Sequence, residues 1–366
     1  MDSVTQAALG ALCGELFLSK KLGWKGALWG ALLGTAPDLD IIAYLWLDAA
    51  EQLRWHRGIS HSLLILPFVS ILFGWILTKI HKTKKLKFTH AAWFVFATWA
   101  SHIFIDCLNT YGTQIFEPFS DYRFAFNSIF IIDLFFTLPM LLALVLCLFF
   151  CKKKPRLRVF LQYTTIVWLS LYFIASLSFK QMAERHFAQK FHEWGVTPID
   201  TMSAPAPLNI FAWRGVARDD EKYYVMYWSL FDSAERESVI SEFDTGHHLE
   251  APFRGGKEFE SLRWFSQGWR KTYQREEEPN AIYIAALSIG EMHLEGEEEN
   301  ILKPAFIWKL EKEGDKVTLS RAYKMSEDRL MNLGSTITAL GNVLERVKGN
   351  ENEWMKGTWI WDIEKP

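Results

Sequence analysis

Four long apolar runs leave few folds open to this chain: Ser62–Leu77, Phe88–Leu108, Ile129–Cys151 and Leu157–Leu177. Each is near the ~20 residues needed to span a hydrocarbon core, so each reads as a membrane helix. Two further helices are expected, a short one over Val4–Ser19 and a longer one over Trp24–Leu47, parted by Lys20, Lys21 and Gly23. The first rises only ~24 Å over its ~16 residues. It lacks the preceding basic residue and the small-residue cleavage site of a signal peptide.

Charge divides the chain in two. Residues 1–179 hold 16 Lys+Arg against 10 Asp+Glu and residues 180–366 hold 24 against 32, net charges of +6 and −8. Thirteen of those 16 basic residues fall in three clusters, Lys20–Lys25, Lys79–Lys87 and Lys152–Arg158. By the positive-inside bias these mark cytoplasmic loops. Connecting them predicts six passes with both ends outside, and every acidic residue of this half except Glu15 then falls at the opposite ends or loops. Cys13, Cys107, Cys147 and Cys151 lie in the apolar segments without zinc-knuckle spacing and read as packing residues.

Beyond Lys180 the pattern changes. Pro198, Pro205 and Pro207 predict a linker over 181–207. Leu208–Val216, Tyr223–Phe231, Leu262–Tyr273, Ala281–Ile289 and Ala305–Leu310 read as strands between charged or glycine-containing turns. Leu330, Leu333, Ile337 and Leu340 predict a helix over Glu327–Val347. The expected architecture is therefore an α-helical polytopic membrane bundle of about six transmembrane or membrane-embedded helices (1–180), followed by a β-rich α+β soluble domain with a C-terminal helix (208–366), placed outside the cytoplasm.

Four motifs set ionisable groups beside or inside the apolar segments: Pro37-Asp38-Leu39-Asp40, the run His56-Arg57-Gly58-Ile59-Ser60-His61-Ser62, His102-x-x-x-Asp106, and Asp133 within Ile131–Leu134. Such residues cost a few kcal/mol at mid-membrane and normally face a cavity, a partner or an ion. His102 and Asp106 are four apart on a helix and share a face, so one helix can offer an imidazole and a carboxylate to one metal. Counting from the nearest basic cluster puts Gln6, Asp38, His61, His102 and Asp133 at 13 to 19 residues, or roughly 20–29 Å above the cytoplasmic edge. The motifs thus predict a single layer. Asp38, Asp40, His56, His61, His102 and Asp106 are the expected metal ligands. A hydrogen-bonded His102–Asp106 pair without metal and a purely helix-starting Asp133 remain open as simpler readings.

A mixed Asp/His set suits zinc, with manganese or iron as alternatives, and the number of carboxylates suggests two ions. Such ions can bind phosphate oxygens and activate water. Arg57 is expected to stabilise an anionic transition state and Asp133 to act as base or orienter. Gln6, Glu117 and Arg123 are assigned to substrate binding, simple salt bridging being the alternative for the outer-loop pair.

With these residues in view, the sequence resembles the YdjM-type family of inner-membrane metal-dependent hydrolases. The resemblance rests on Met1-Asp2-Ser3-Val4-Thr5, Pro37–Asp40, His56–Ser62, Ser101–Asp106 and Thr110-Tyr111-Gly112, and covers roughly residues 1–180. It implies a polytopic inner-membrane enzyme of bacteria, and a histidine where this chain has Gln6. The His-x-x-x-Asp pattern is also similar, more distantly, to zinc phospholipase C and P1-nuclease-type enzymes.

The function expected is a membrane-bound metal-dependent hydrolase of a phosphoester or lipid-linked substrate on the outer side, with membrane lipid as its surroundings. The alternative is a non-enzymatic membrane metal-binding scaffold or stress-related protein. An ion transporter would need charges along the inner halves of the helices, where Glu15 stands almost alone. The basic clusters are short membrane-flanking loops without interleaved aromatics, which disfavours nucleic-acid binding.

Overall fold

The structure, a computed structural model, describes residues 1–151, 154–233, 239–295, 300–322, 347–348 and 358–359. They form two compact units. One comprises Met1–Leu45, Trp55–Leu177 and Pro207–Asn209; the other comprises Trp46–Arg54, Ser178–Ala206 and Ile210–Pro366.

In the first unit, α1 (Ser3–Leu22) begins where the Asp2 carboxylate accepts from the Val4 and Thr5 amides, each at 3.0 Å. That satisfies two of the four donors a helix start leaves open. Gly23, at φ +59°, turns the chain into α2 (Trp24–Thr35). The two helices pack backbone to backbone, Gly10 against Gly30 and Gly34, and Gly14 against Gly26. A Cβ on Gly34 would sit 2.8 Å from both the Gln6 carbonyl oxygen and the Gly10 Cα. At Pro37, which lacks an amide proton, the helix has already tightened into a ten-residue 3-10 helix, Ala36–Leu45. Runs longer than three or four residues are uncommon for this conformation.

The remaining helices of this unit are α3 (Ala49–Trp55, most of which belongs to the second unit), α4 (Leu66–Ile80), α5 (Phe88–Asp106), α6 (Leu134–Val145, prolonged by a π turn to Phe150) and the first part of α7 (Pro155–Glu193). The core sits where α1, α2, α4 and α5 meet, around Leu18, Leu33, Leu77, Phe94 and Val95. All four cysteines are buried and free. Arg158, itself partly exposed, reaches the fully buried Glu15 with both Nε and Nη2, the Nε bond being 2.8 Å, so the exceptional acidic residue of the sequence pairs α1 with α7.

The helices correct the expectation of about six spans. Among the described residues only α7 is long and apolar enough to cross a membrane by itself; Ala49–His61 with Leu66–Ile80 counts as a second if that pair, bent by 66°, is one broken span. The cause is local. Ser62–Ile65 leaves the helix, α6 is a 12-residue helix carrying Pro139, and histidines and tryptophans interrupt the apolar run of α5. A helical region followed by a β-rich region is what the chain shows.

In the second unit, β1 (Asp200–Pro205), β2 (Ala212–Arg218), β3 (Lys222–Ser229) and β4 (Ile240–Asp244) form one antiparallel sheet in sequence order. β5 (Arg270–Tyr273), β6 (Ala281–Ala286), β9 (Ile307–Glu313) and β10 (Lys316–Arg321) form a second, in the order β10-β9-β6-β5. β7 (Glu291–Glu295), β8 (Asn300–Pro304) and β11 (Thr358–Trp359) make a third. The residues expected as a linker instead hold the end of α7 and β1: Ala183, Phe187 and Phe191 of α7 pack on Trp213, Ala217 and Met226. Leu262–Tyr273, expected as one strand, divides into α8 (Lys257–Phe265) and β5, because Phe259, Leu262 and Phe265 recur at helical rather than alternating spacing. α8 also holds the inserted segment 46–54: Lys257 Nζ lies 2.5 Å from Asp48 and 2.8 Å from Glu51, and the Arg54 guanidinium lies over the Trp264 ring at 5.0 Å. Apart from Val347, the helix expected over Glu327–Val347 lies outside the described residues.

Candidate metal centre

Three elements of the first unit bring four ligand atoms together. Asp38 comes from the 3-10 helix, His61 from the short turn Ile59–His61, and His102 and Asp106 from the last turns of α5. One atom from each lies within 4.8 Å of all the others. His61 Nε2 is 2.9 Å from His102 Nε2, 3.3 Å from Asp38 Oδ1 and 3.3 Å from Asp106 Oδ2; His102 Nε2 is 3.5 and 3.4 Å from those two oxygens.

The hydrogen bonds behind the rings say which atoms face inward as lone pairs. His102 Nδ1 is 2.6 Å from the Gly34 carbonyl, which can only accept, so the proton of a neutral ring is on Nδ1 and Nε2 is bare. Ser60 Oγ donates to Asp40 Oδ2 at 2.8 Å and therefore accepts from His61 Nδ1, also at 2.8 Å; His61 Nε2 is bare as well. Asp38 Oδ1 and Asp106 Oδ2 are buried without a hydrogen-bond donor. Four lone-pair atoms facing one another call for a cation. A tetrahedron built on bonds of ~2.0–2.1 Å to zinc has edges of about 3.4 Å, and the five separations above run from 2.9 to 3.5 Å. The residues fit a divalent metal.

The structure sorts the six expected ligands into two groups. Asp40 is not among the converging four. Its Oδ1 takes His56 Nδ1 at 2.8 Å, and its Oδ2 takes the Arg57 amide at 3.0 Å and Ser60 Oγ. Both oxygens are thus occupied by donors, and the carboxylate orients His61 through Ser60 in the manner of outer-shell partners of metal sites. His56, bonded to Asp40, stands with its ring centroid 6.2 Å from that of His61.

Arg57 is buried and adopts φ +59°, an uncommon conformation for a residue with a Cβ. It turns the backbone amide toward Asp40 while the side chain reaches Asp106 Oδ1 at 3.0 Å and Asn109 Oδ1 at 3.1 Å. Asp106 Oδ1 also receives Gln6 Nε2 at 2.8 Å and the Met1 amino group. One oxygen of Asp106 is thereby held by donors, and the other faces the three remaining ligand atoms. Gln6, assigned from sequence to substrate, touches a ligand instead.

Two buried arginines lie over the Tyr111 ring, Arg57 at 4.7 Å and Arg123 at 4.8 Å from its centroid. Glu117 contributes its carbonyl oxygen to Ser62 Oγ at 2.5 Å. Asp133 lies outside the four-atom cluster. It caps α6 through the Phe136 amide at 3.0 Å and accepts the Tyr172 hydroxyl of α7 at 2.8 and 2.9 Å. Sequence reasoning gave no role to Ser60, Asn109 or the Gly34 carbonyl. Ser60 and Asn109 sit within or beside the motifs, but backbone carbonyls carry no residue-type signal.

Comparison with known proteins bears on the same half of the chain. A family model described as "YdjM inner membrane protein" matches residues 1–186. Over 234 residues the chain is 26% identical to a Bacillus subtilis (strain 168) protein described as "Uncharacterized protein YfhP", the match covering 62% of this chain and 67% of that one. No solved structure matches.

Proposed function

The chain belongs to the YdjM inner membrane protein family, and on that footing we propose that it is a metal-dependent hydrolase of phosphoesters whose centre is Asp38, His61, His102 and Asp106. The observation that carries this reading is the convergence of four bare ligand atoms at one point, with a buried guanidinium, Arg57, on the far oxygen of Asp106. A bound divalent ion supplies there a more acidic water and a polarised phosphoryl oxygen. Three of the four ligands are closed off, whereas the Asp38 side chain is 22% exposed. Substrate therefore enters on the Asp38 side.

The chain's own groups prepare the site. Gly34 and Ser60 fix the two imidazoles, Asp40 fixes Ser60, and Arg57 with Gln6 fixes Asp106. The two arginines about Tyr111 add positive charge suited to an anionic substrate. Placement in the bacterial inner membrane as a multi-pass protein, with the centre and the β-rich unit on the non-cytoplasmic side, follows in this reading from the three basic clusters.

One observation favours a second reading. Four protein ligands fill a tetrahedral zinc, the arrangement of structural sites, whereas an ion taking five or six ligands keeps positions for water and substrate. Metal analysis of the purified protein, followed by assays of phosphomonoesters and phosphodiesters with zinc, manganese and iron, separates the two. Turnover with any of these ions supports the hydrolase; full metal loading with no turnover on any ester establishes the scaffold.

A further inference from the structure

The 3-10 helix that carries Asp38 has an unusual outer surface. With three residues per turn, Leu39, Ile42 and Leu45 fall in one line, and they are 57%, 52% and 78% exposed. The line starts one residue and a third of a turn from Asp38, the one partly exposed ligand, and runs about 12 Å at ~2.0 Å per residue. A soluble phosphoester would gain nothing from such a surface. A phosphate ester with hydrocarbon chains would place its anionic end at Asp38 and the arginines, and its chain along the stripe.

We propose that the substrate is a membrane lipid phosphoester whose hydrocarbon chain lies along Leu39, Ile42 and Leu45 while its phosphate occupies the metal centre. The inference rests on the hydrolase reading and narrows its substrate class. The polar and apolar parts of such a molecule match the ligand and the stripe carried by this one segment. The chain belongs to an inner-membrane family, a setting in which lipid is at hand. Leu72 on α4, 53% exposed, has no ligand on its own segment and serves as the control for simple bilayer contact.

The test uses the full chain, metal-loaded, in detergent micelles. Phosphatidic acids of increasing chain length are compared with glycerol 3-phosphate, and dioleoyl phosphatidylglycerol with glycerophosphoglycerol. KM falls with chain length until the stripe is covered. The triple variant Leu39→Ser, Ile42→Ser, Leu45→Ser raises KM for long-chain esters by about tenfold, leaving the short-chain esters and metal content unchanged, and Leu72→Ser changes neither. Equal KM for long and short esters overturns the lipid assignment while the hydrolase stands. An equal effect of Leu72→Ser reduces the stripe to bilayer contact and overturns it too. If no ester is cleaved, the hydrolase reading fails and retention of labelled dioleoyl phosphatidic acid decides: loss of retention in the triple variant alone supports the lipid track, and equal retention by all three proteins removes it.

Discussion

His61 Nε2 and His102 Nε2 face each other at 2.9 Å although each ring already spends its Nδ1 proton on another partner, Ser60 in one case and the Gly34 carbonyl in the other. Two neutral imidazoles in that position repel, and two buried carboxylate oxygens stand on the same point. The pair makes sense around a cation, and the outer bonds decide how strongly each residue matters.

One metal ion per chain is expected, because Asp40 is occupied by three donors and is not available for a second ion. His102→Ala or Asp106→Ala should abolish tight binding. Asp40→Ala should weaken it by about 10- to 100-fold, the usual effect of losing an outer-shell partner. Isothermal titration and elemental analysis check this; two ions per chain, or full loading of His102→Ala, would end the four-ligand assignment.

Arg57 should prove a stability residue as much as a functional one. Its guanidinium is the partner of a fully buried carboxylate, and removing one member of such a pair costs about 3–5 kcal/mol. Arg57→Ala should lower the unfolding midpoint of the metal-free protein in detergent more than that of the metal-loaded one, since the ion takes over part of the compensation of Asp106. Equal loss in both states would place the role of Arg57 elsewhere.

Gly34→Ala should damage the metal centre from a distance. Its Cβ would be 2.8 Å from the Gln6 carbonyl, so α1 and α2 must separate, and both Gln6 and the carbonyl that holds His102 move with them. Overpacking of this kind costs roughly 1–3 kcal/mol, and metal affinity should fall with it. Gly23→Ala is the contrast: nothing lies within 4 Å of its added Cβ, so the cost is only that of the strained backbone, φ +59° and ψ −138°, about 1–3 kcal/mol, with metal affinity kept. Calorimetry and metal titration of the pair separate backbone strain from helix contact.

The β-rich unit should need the end of α7. A fragment from residue 178 retains Phe187 and Phe191 against Trp213 and Met226 and should unfold cooperatively; one from residue 205 loses two buried phenylalanines, each worth about 1.5–3 kcal/mol, and should be poorly folded. Circular dichroism with thermal denaturation decides between them.

That fragment also offers a pH test. Burial, then the charge of Arg270, lowers the pKa of His247 in the folded state, while the unfolded chain takes up the proton near 6.5. The unfolded state therefore binds more protons between 6.5 and the lowered folded value. Stability is full above about pH 6.5 and is lost as pH falls through that window. His247→Gln should flatten the decline, as read from urea midpoints between pH 5 and 8.

The sequence by itself determined the composition of the centre and its helical setting. Apolar runs, the i,i+4 spacing of His102 and Asp106, and the Pro-Asp-x-Asp and His-Arg-Gly motifs are local signals, and local signals survive in a linear string. Tertiary structure decided the rest. Asp40 and Asp38 are two residues apart and chemically alike, yet Asp38 joins the four-atom cluster and Asp40 holds Ser60, because the turn at Arg57 and Gly58 brings donors to only one of them. Asp133, equally apolar in its surroundings, found Tyr172 of α7 instead. The length of each span depended on where helices break, at Pro37, Ser62 and the π turn after Val145. Which donor reaches a buried carboxylate first is settled by packing between distant segments, and residue type and spacing do not encode that order.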